Sequence, residues 1–280
     1  MTMTAPHPAI GRTETLIDTL DLRQALHMQL TLDQDATLAP GDPLPPFWHY
    51  LYFNPKIKAS DLAEDGHERL GRFLPDLGLP RRMWAGGRID LHAPLPLGAE
   101  VTKTTTIRDV TRKSGRSGEL GFVTVAHDFS HAGALCLTEV QNIVYRAPPA
   151  PGSPPPQAPP APDGAQFSRR IQPDPVLLFR YSALIFYGHR IHYDADYTRE
   201  VEGYPGLIVH GPLTATLLIA FGMEQAEGRQ LRQIEIRAMS PLFAPAPFWL
   251  EGVADGGSLS LWARTEAGGC AMKVTLHFAD

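Results

Sequence analysis

Cysteine is nearly absent: Cys136 and Cys270 are the only two in 280 residues. They lie far apart without metal-type spacing, which excludes a disulfide framework and suits two buried thiols in a reducing compartment. An excess of positive charge is also missing. Lys and Arg number 25 against 30 Asp and Glu, for a formal net charge of -5 and a pI near 6.1. The whole-molecule field therefore favours neither nucleic acid nor an anionic membrane, and any anionic ligand has to be met by local arginines. No apolar run is long enough to span a bilayer, and the opening MTMTAPHPAIGRTETL lacks a basic stretch followed by an apolar one. A soluble cytoplasmic protein is expected.

Proline, by contrast, is plentiful and unevenly placed. Of 27 prolines, 9 fall in APPAPGSPPPQAPPAPDG, from Ala147 to Gly164. Such a segment has almost no large apolar side chain to bury and reads as an extended, semi-rigid spacer. It divides the chain into an N-terminal unit (1–146), a linker (147–164) and a C-terminal unit (165–280).

The two units share a plan. GGRIDLHAPLPLGAEV, from Gly86, and IEIRAMSPLFAPAPFWL, from Ile234, align at their Pro-Leu pairs, and both run on into segments that alternate with period two. Each unit closes on a strand after glycine, GALCLTEVQNIVYR in one and GCAMKVTLHFAD in the other. These are antiparallel strands joined by glycine turns. Ahead of them lies one apolar helix candidate per unit. In the second it starts at His210-Gly211-Pro212 and runs to Gly228, apolar nearly all round and therefore buried. In the first it is the shorter Pro45–Pro55, preceded by a surface helix expected over ETLIDTLDLRQALHMQL. An α+β fold of paired sheet-and-helix units follows. The RKSGRSGE stretch, with Lys113 and Arg116, lacks the full phosphate-loop pattern and reads as a charged hairpin turn.

The chain is organised around Tyr181–Leu218, YSALIFYGHRIHYDADYTREVEGYPGLIVHGPLTATLL. Two histidines, His189 and His192, stand beside Asp194, and a third, His210, directly precedes the helix start. Titratable groups this dense within an apolar segment have to be hydrogen-bonded or functional. His189, His192 and Asp194 could in principle form a two-histidine, one-carboxylate metal site, although their spacing does not ensure convergence.

These strings resemble the MaoC-like, R-specific enoyl-CoA hydratases of the hot-dog fold. FWHYLYFNP and GRFLPDLGLPRRMWAGGRIDLHAPL are similar to the double hot-dog branch that holds mesaconyl-C4-CoA (3-methylfumaryl-CoA) hydratase and 3-hydroxyacyl-thioester dehydratase type 2. The resemblance extends from Leu16 to Phe278, the linker excepted. It implies a double hot-dog, a hydro-lyase acting on an enoyl-CoA, no metal, and no cofactor beyond the coenzyme A of the substrate. The family motif Asp-x-Asn-Pro-x-His-x-Asp, laid on this chain, puts its histidine at His192 and its last Asp at Asp194. It puts Tyr187 where the catalytic Asp belongs, His189 at the Asn position and Arg190 at the Pro position. The usual Asp–His dyad is thus absent.

Hydration needs a base for water, an acid for the α-carbon and donors for the enolate oxygen. Histidine suits the first task, since its ordinary pKa lies near working pH. His192 is then the expected base, with His189 or Tyr187 orienting water or delivering the second proton. Gly211, at a helix N-terminus, offers backbone N–H groups to the enolate. Arg190 is the expected clamp for a second carboxylate, as in a mesaconyl group. Asp194 is expected to orient, His210 to cap or pack at the helix start, and Arg81, Arg82 or Arg237 to meet the phosphates of coenzyme A. The first unit would supply part of the acyl pocket. Two other readings share the fold: an acyl-CoA thioesterase and a non-catalytic acyl-CoA-binding protein. A homodimer is compatible with all three readings.

Overall fold

A computed structural model describes residues 6–54, 56–115, 118–147 and 157–279. The first unit contains β1 (Thr13–Thr19), α1 (Leu22–Thr31), β2 (Arg81–Leu91), β3 (Glu100–Gly115), β4 (Gly118–His131) and β5 (Ala134–Arg146). The second contains β6 (Phe167–Ile171), α2 (Pro175–Leu184), α3 (Ala195–Glu200) and α4 (Gly211–Glu224). It closes with β7 (Leu231–Ala238), β8 (Phe248–Asp255), β9 (Ser258–Thr265) and β10 (Cys270–Phe278). The strands form one sheet in the order β1-β3-β4-β5-β2-β7-β10-β9-β8-β6. Read inward from its two edges, this is the same order twice, so the halves mirror each other about the β2–β7 seam. That seam is antiparallel from Gly86↔Arg237 to Asp90↔Gln233. At Gly86 a Cβ would lie 2.1 Å from the Ile236 carbonyl oxygen, and φ is +104°, so only glycine lets the backbones meet there.

Helix α4 fills the hollow of the second half. It is apolar all round, with Leu213, Leu218, Ile219 and Phe221 buried. Gly222 allows close packing, since a Cβ there would meet Leu261 at 2.5 Å and Leu276 at 2.7 Å. The strand face beneath is aliphatic: Leu259, Leu261, Val274, Leu276, Ile234 and Ile236 are all buried. The helix ends at Glu224, short of the expected Gly228.

The first half departs from expectation twice. Residues 13–19 form a strand paired with β3, and the helix begins only at Leu22, capped by the Asp21 side chain on the Arg23 amide. The expected helix over Pro45–Pro55 is reduced to a 3-10 turn, Trp48–Leu51. Prolines at 45 and 46 deny amide donors, and Phe47 and Phe53 sit at φ +73° and +58°, outside any helix. The hollow of this half therefore lacks its helix. Its face is polar: Lys103 and Thr105 on β3, His127 on β4, Glu139 and Gln141 on β5, joined by His49 and Tyr50 from the turn.

Residues 148–156 of the expected linker lie outside the described residues. The part that follows is attached to the body: Pro160 bridges Gly269, and Cys270 N–H donates to the Pro159 carbonyl at 2.7 Å. Cys136 and Cys270 are free and buried. Among the described residues no helix is long and apolar enough to cross a membrane.

Candidate active site

Both halves line a cavity of about 590 Å³. Helix α2 delivers the first side chain. Its end is turned by Phe186, at φ +49°, after which the Tyr187 amide donates back to the Ser182 carbonyl at 2.9 Å and the ring enters the cavity wall. A 3-10 turn, Arg190–His192, follows, and the Ile208 amide bonds the Ile191 carbonyl at 2.9 Å. This closes the loop so that His192 is buried against the segment leading into α4.

His192 Nδ1 lies 2.7 Å from the Ile208 carbonyl oxygen. A carbonyl only accepts, so Nδ1 carries the proton and Nε2 keeps its lone pair. Burial, with the nearby His189 and His67, pushes its pKa down to about 3 against the carbonyl's pull, leaving the ring neutral at ordinary pH. His210 stacks on it, centroids 3.6 Å apart and planes at 17°, and has Ser182 Oγ 2.8 Å from its own Nε2. Burial drives the His210 pKa well down, and its Nδ1 is buried without a partner.

Gly211 opens α4 beside these rings. A Cβ there would lie 3.1 Å from the Trp84 ring of the first half, so the glycine leaves room where the two halves meet. Its amide points out of the helix start, where backbone N–H groups have no intrahelical acceptor and the helix dipole favours negative charge.

Two residues from the first half complete the site. Asp65 Oδ2 lies 2.9 Å from His67 Nδ1, and His67 Nε2 meets the hydroxyl of Tyr187. The carboxylate accepts from Nδ1–H, so Nε2 accepts from the tyrosine hydroxyl. Burial would raise Asp65, but the hydrogen bonds its carboxylate accepts from the His67 ring and amide hold it below the ordinary carboxylate range. Burial lowers His67 and raises Tyr187 to about 12, so both are neutral near pH 7. His189 lies against His67, ring centroids 3.8 Å apart, and burial depresses it as well. The loop is seated by backbone: Arg190 N–H donates to the Asp65 carbonyl at 2.9 Å, and a Cβ on Gly66 would stand 1.9 Å from the Gly188 oxygen.

Of the residues expected from sequence, Tyr187, His189, His192, His210, Gly211 and Arg82 line this cavity. Arg190 and Asp194 do not. Arg190 is fastened to Asp194 by two bonds of 2.7 and 3.0 Å and lies 3.9 Å from the Tyr197 ring centre, while Asp194 also caps α3. Arg190 is thereby withdrawn as the carboxylate clamp, because its guanidinium is taken by a neighbour one turn away. Arg81 pairs with Glu202 at 2.9 Å, and Arg237 is exposed on β7 outside the cavity. Lys113 lies over Phe122 near the end of β3, and Arg116, with the expected hairpin turn, lies outside the described residues. The metal set His189, His192 and Asp194 does not assemble. Among the described residues the group able to hold a metal is Asp65, His67 and His189, with ligand atoms within 4.8 Å of one another. Both nitrogens of His67 are already engaged there, so an ion would have to displace a hydrogen bond.

Fold and site together describe a hot-dog protein with a titratable cluster in a cavity lined by both halves. Residues 47–244 match the family described as hydroxyacyl-thioester dehydratase type 2. The chain is 44% identical, over 96% of each sequence, to a mesaconyl-C(4)-CoA hydratase of Chloroflexus aurantiacus. It is 28% identical to a mitochondrial hydroxyacyl-thioester dehydratase type 2 of Schizosaccharomyces pombe, covering 78% of this chain and 79% of that one. In fold it is similar to the crystal structure of a MaoC-like dehydratase from Phytophthora capsici, with TM-score 0.70, 16% identity and 96% of each chain covered. The chain belongs to the hydroxyacyl-thioester dehydratase type 2 family. It is a double hot-dog CoA-thioester hydro-lyase, as the sequence resemblance implied.

Proposed function

We propose that the protein adds water to the double bond of a branched dicarboxylic enoyl-CoA such as mesaconyl-C4-CoA. The observation that carries this reading is the pairing of a neutral His192, its Nε2 free, with the helix start at Gly211. The 44% identity to a mesaconyl-C(4)-CoA hydratase supports the acyl group.

In this reading His192 Nε2 takes a proton from water as the oxygen bonds to the β-carbon. The π electrons move to the thioester carbonyl, and the Gly211 N–H steadies the enolate. Tyr187 gives its hydroxyl proton to the α-carbon, and His67, held by Asp65, orients that hydroxyl. The proton on His192 then returns to Tyr187 through water, closing the cycle. The dehydration direction runs the same steps backwards. No cofactor is needed beyond the coenzyme A of the substrate, and the compartment expected is the cytoplasm.

The test is the loss of enoyl-thioester ultraviolet absorbance on adding enzyme to mesaconyl-C4-CoA and crotonyl-CoA with a thiol trap present, His192→Ala alongside. Loss without thiol release, abolished in the variant, is the expected result. Thiol release would sink the hydro-lyase chemistry.

A further inference from the structure

With Arg190 withdrawn, a second carboxylate on the acyl group has to be met by another cation of the cavity wall. Among the described residues the Lys and Arg side chains that line it are Arg82, Lys103 and Arg146. Their positions in the sheet separate them. Lys103 belongs to β3, three strand spacings from β2, or roughly 14 Å across the sheet. It lies over the rings of Phe53 and Phe129, near the carboxylate of Glu139. Arg146 stands opposite Arg81, one register step farther from Trp84.

Arg82 is different. It is two residues from Trp84 on the same strand, so the two side chains share a face about 7 Å apart. Trp84 touches Gly211, which puts Arg82 within one long side chain of the helix start to which the hydratase reading assigns the thioester. Arg82 forms no ion pair among the described residues, whereas its neighbour Arg81 is occupied by Glu202. Its register partner, Tyr145, buries a hydroxyl beside the Arg82 guanidinium, whose charge and hydrogen bonding temper the rise that burial gives the hydroxyl's pKa. The charge of Arg82 reaches the reacting cluster, lowering His67 and His189 and tempering the rise of Tyr187.

We propose that Arg82 binds the second carboxylate of the acyl group, through a guanidinium fork aimed into the cavity beside Trp84. The inference rests on the hydratase reading above and names the residue that selects its substrate. In a β-carboxylated enoyl-CoA the carboxylate is attached to the carbon that water attacks, so its partner has to stand beside the catalytic groups. The phosphates of coenzyme A are a full pantetheine arm away, and Arg82 is therefore assigned to the acyl end. A buried carboxylate requires a paired charge, and the fork supplies two parallel bonds. An acyl group without the carboxylate leaves that guanidinium unpaired, which turns the clamp into a filter.

The experiment compares kcat/KM for mesaconyl-C4-CoA and crotonyl-CoA in the unaltered enzyme, Arg82→Gln and Arg82→Lys, with melting temperatures to establish folding. The ratio of the two values is expected to fall about 100-fold in Arg82→Gln, as for a lost charge-assisted bond, and to recover partly in Arg82→Lys. Free mesaconate is expected to compete with substrate in the unaltered enzyme and to do so far more weakly in either variant. An unchanged ratio, or an equal loss on both substrates, overturns the proposal, the second outcome pointing to the phosphates. If Arg82→Gln does not fold, failure of mesaconate to compete in the unaltered enzyme overturns it. Turnover of neither substrate by the unaltered enzyme would instead overturn the hydratase reading itself.

Discussion

The hydroxyl of Tyr187 hydrogen-bonds Nε2 of His67, a residue 120 positions earlier in the chain. That bond joins the two halves at the place where the family motif has lost its carboxylate. Asp65, behind His67, restores a negative charge two groups farther out. Tyr187→Phe keeps the ring and removes the proton, and should lower kcat about 100-fold with little change in KM. Asp65→Asn and His67→Gln should lower kcat by smaller factors, since both act through the tyrosine. Steady-state kinetics on mesaconyl-C4-CoA would show it, and a fully active Tyr187→Phe would remove tyrosine from the mechanism.

Acid should undo the fold earlier than is usual. Burial is the largest cause lowering the pKa of each of His67, His127, His189, His192 and His210. The unfolded chain takes up protons at about pH 6.5, where these folded histidines do not. Stability is therefore complete above that pH and is lost as pH falls toward the folded values, near 4 for His127 and 3 for His192. Each histidine contributes a slope of up to ~1.4 kcal/mol per pH unit. His127 and His192 bind no proton until well below the unfolded value, so their slopes persist over more than about two pH units. Melting temperature should be level from pH 8 to 7 and drop steeply below about 6; a level profile down to pH 5 would contradict the burial of these rings.

The rate profile should look unlike that of an ordinary histidine base. With His192 pushed down to about 3, the ring is already unprotonated at every pH where the protein is folded. No acid limb is expected near pH 6.5 in kcat/KM, and activity should fall together with the fold. A limb near 6.5 while the protein remains folded would assign the base elsewhere.

Gly66 offers a test of how the loop is seated. At φ +87° and with the Gly188 oxygen 1.9 Å from where a Cβ would be, it has no room for a side chain. Gly66→Ala should destabilise the protein by roughly 2–4 kcal/mol, through strain and overpacking together. It should also lower kcat, because the displaced loop carries Asp65 and His67 away from Tyr187. Urea unfolding and kinetics on the same preparation would separate the two effects.

The second half was largely legible from sequence, because its site and its helix lie in one string. Tyr187, His189, His192, His210 and Gly211 all come from Tyr181–Leu218, and α4 declares itself by being apolar on every side. Asp65 and His67 gave no such signal. They belong to EDGHERL, a loop without periodicity, and reach the site only through the pairing of β2 with β7. The segment ETLIDTLDL misled because its apolar residues fit a helical period as well as an alternating one, and pairing with β3 settled it as a strand. Arg190 misled for a local reason: Asp194, four residues on, is its partner, an arrangement visible in the spacing once both are seen at the edge of a helix.

The seam between β2 and β7 has a consequence for how the enzyme behaves when scarce. In a catalyst assembled from two separate chains, dilution pulls the partners apart and specific activity falls with concentration. Here the tyrosine and the histidine that orients it belong to one polypeptide, and the sheet that joins their halves never has to find its other side. Turnover per molecule should hold constant down to the most dilute preparation that can be assayed.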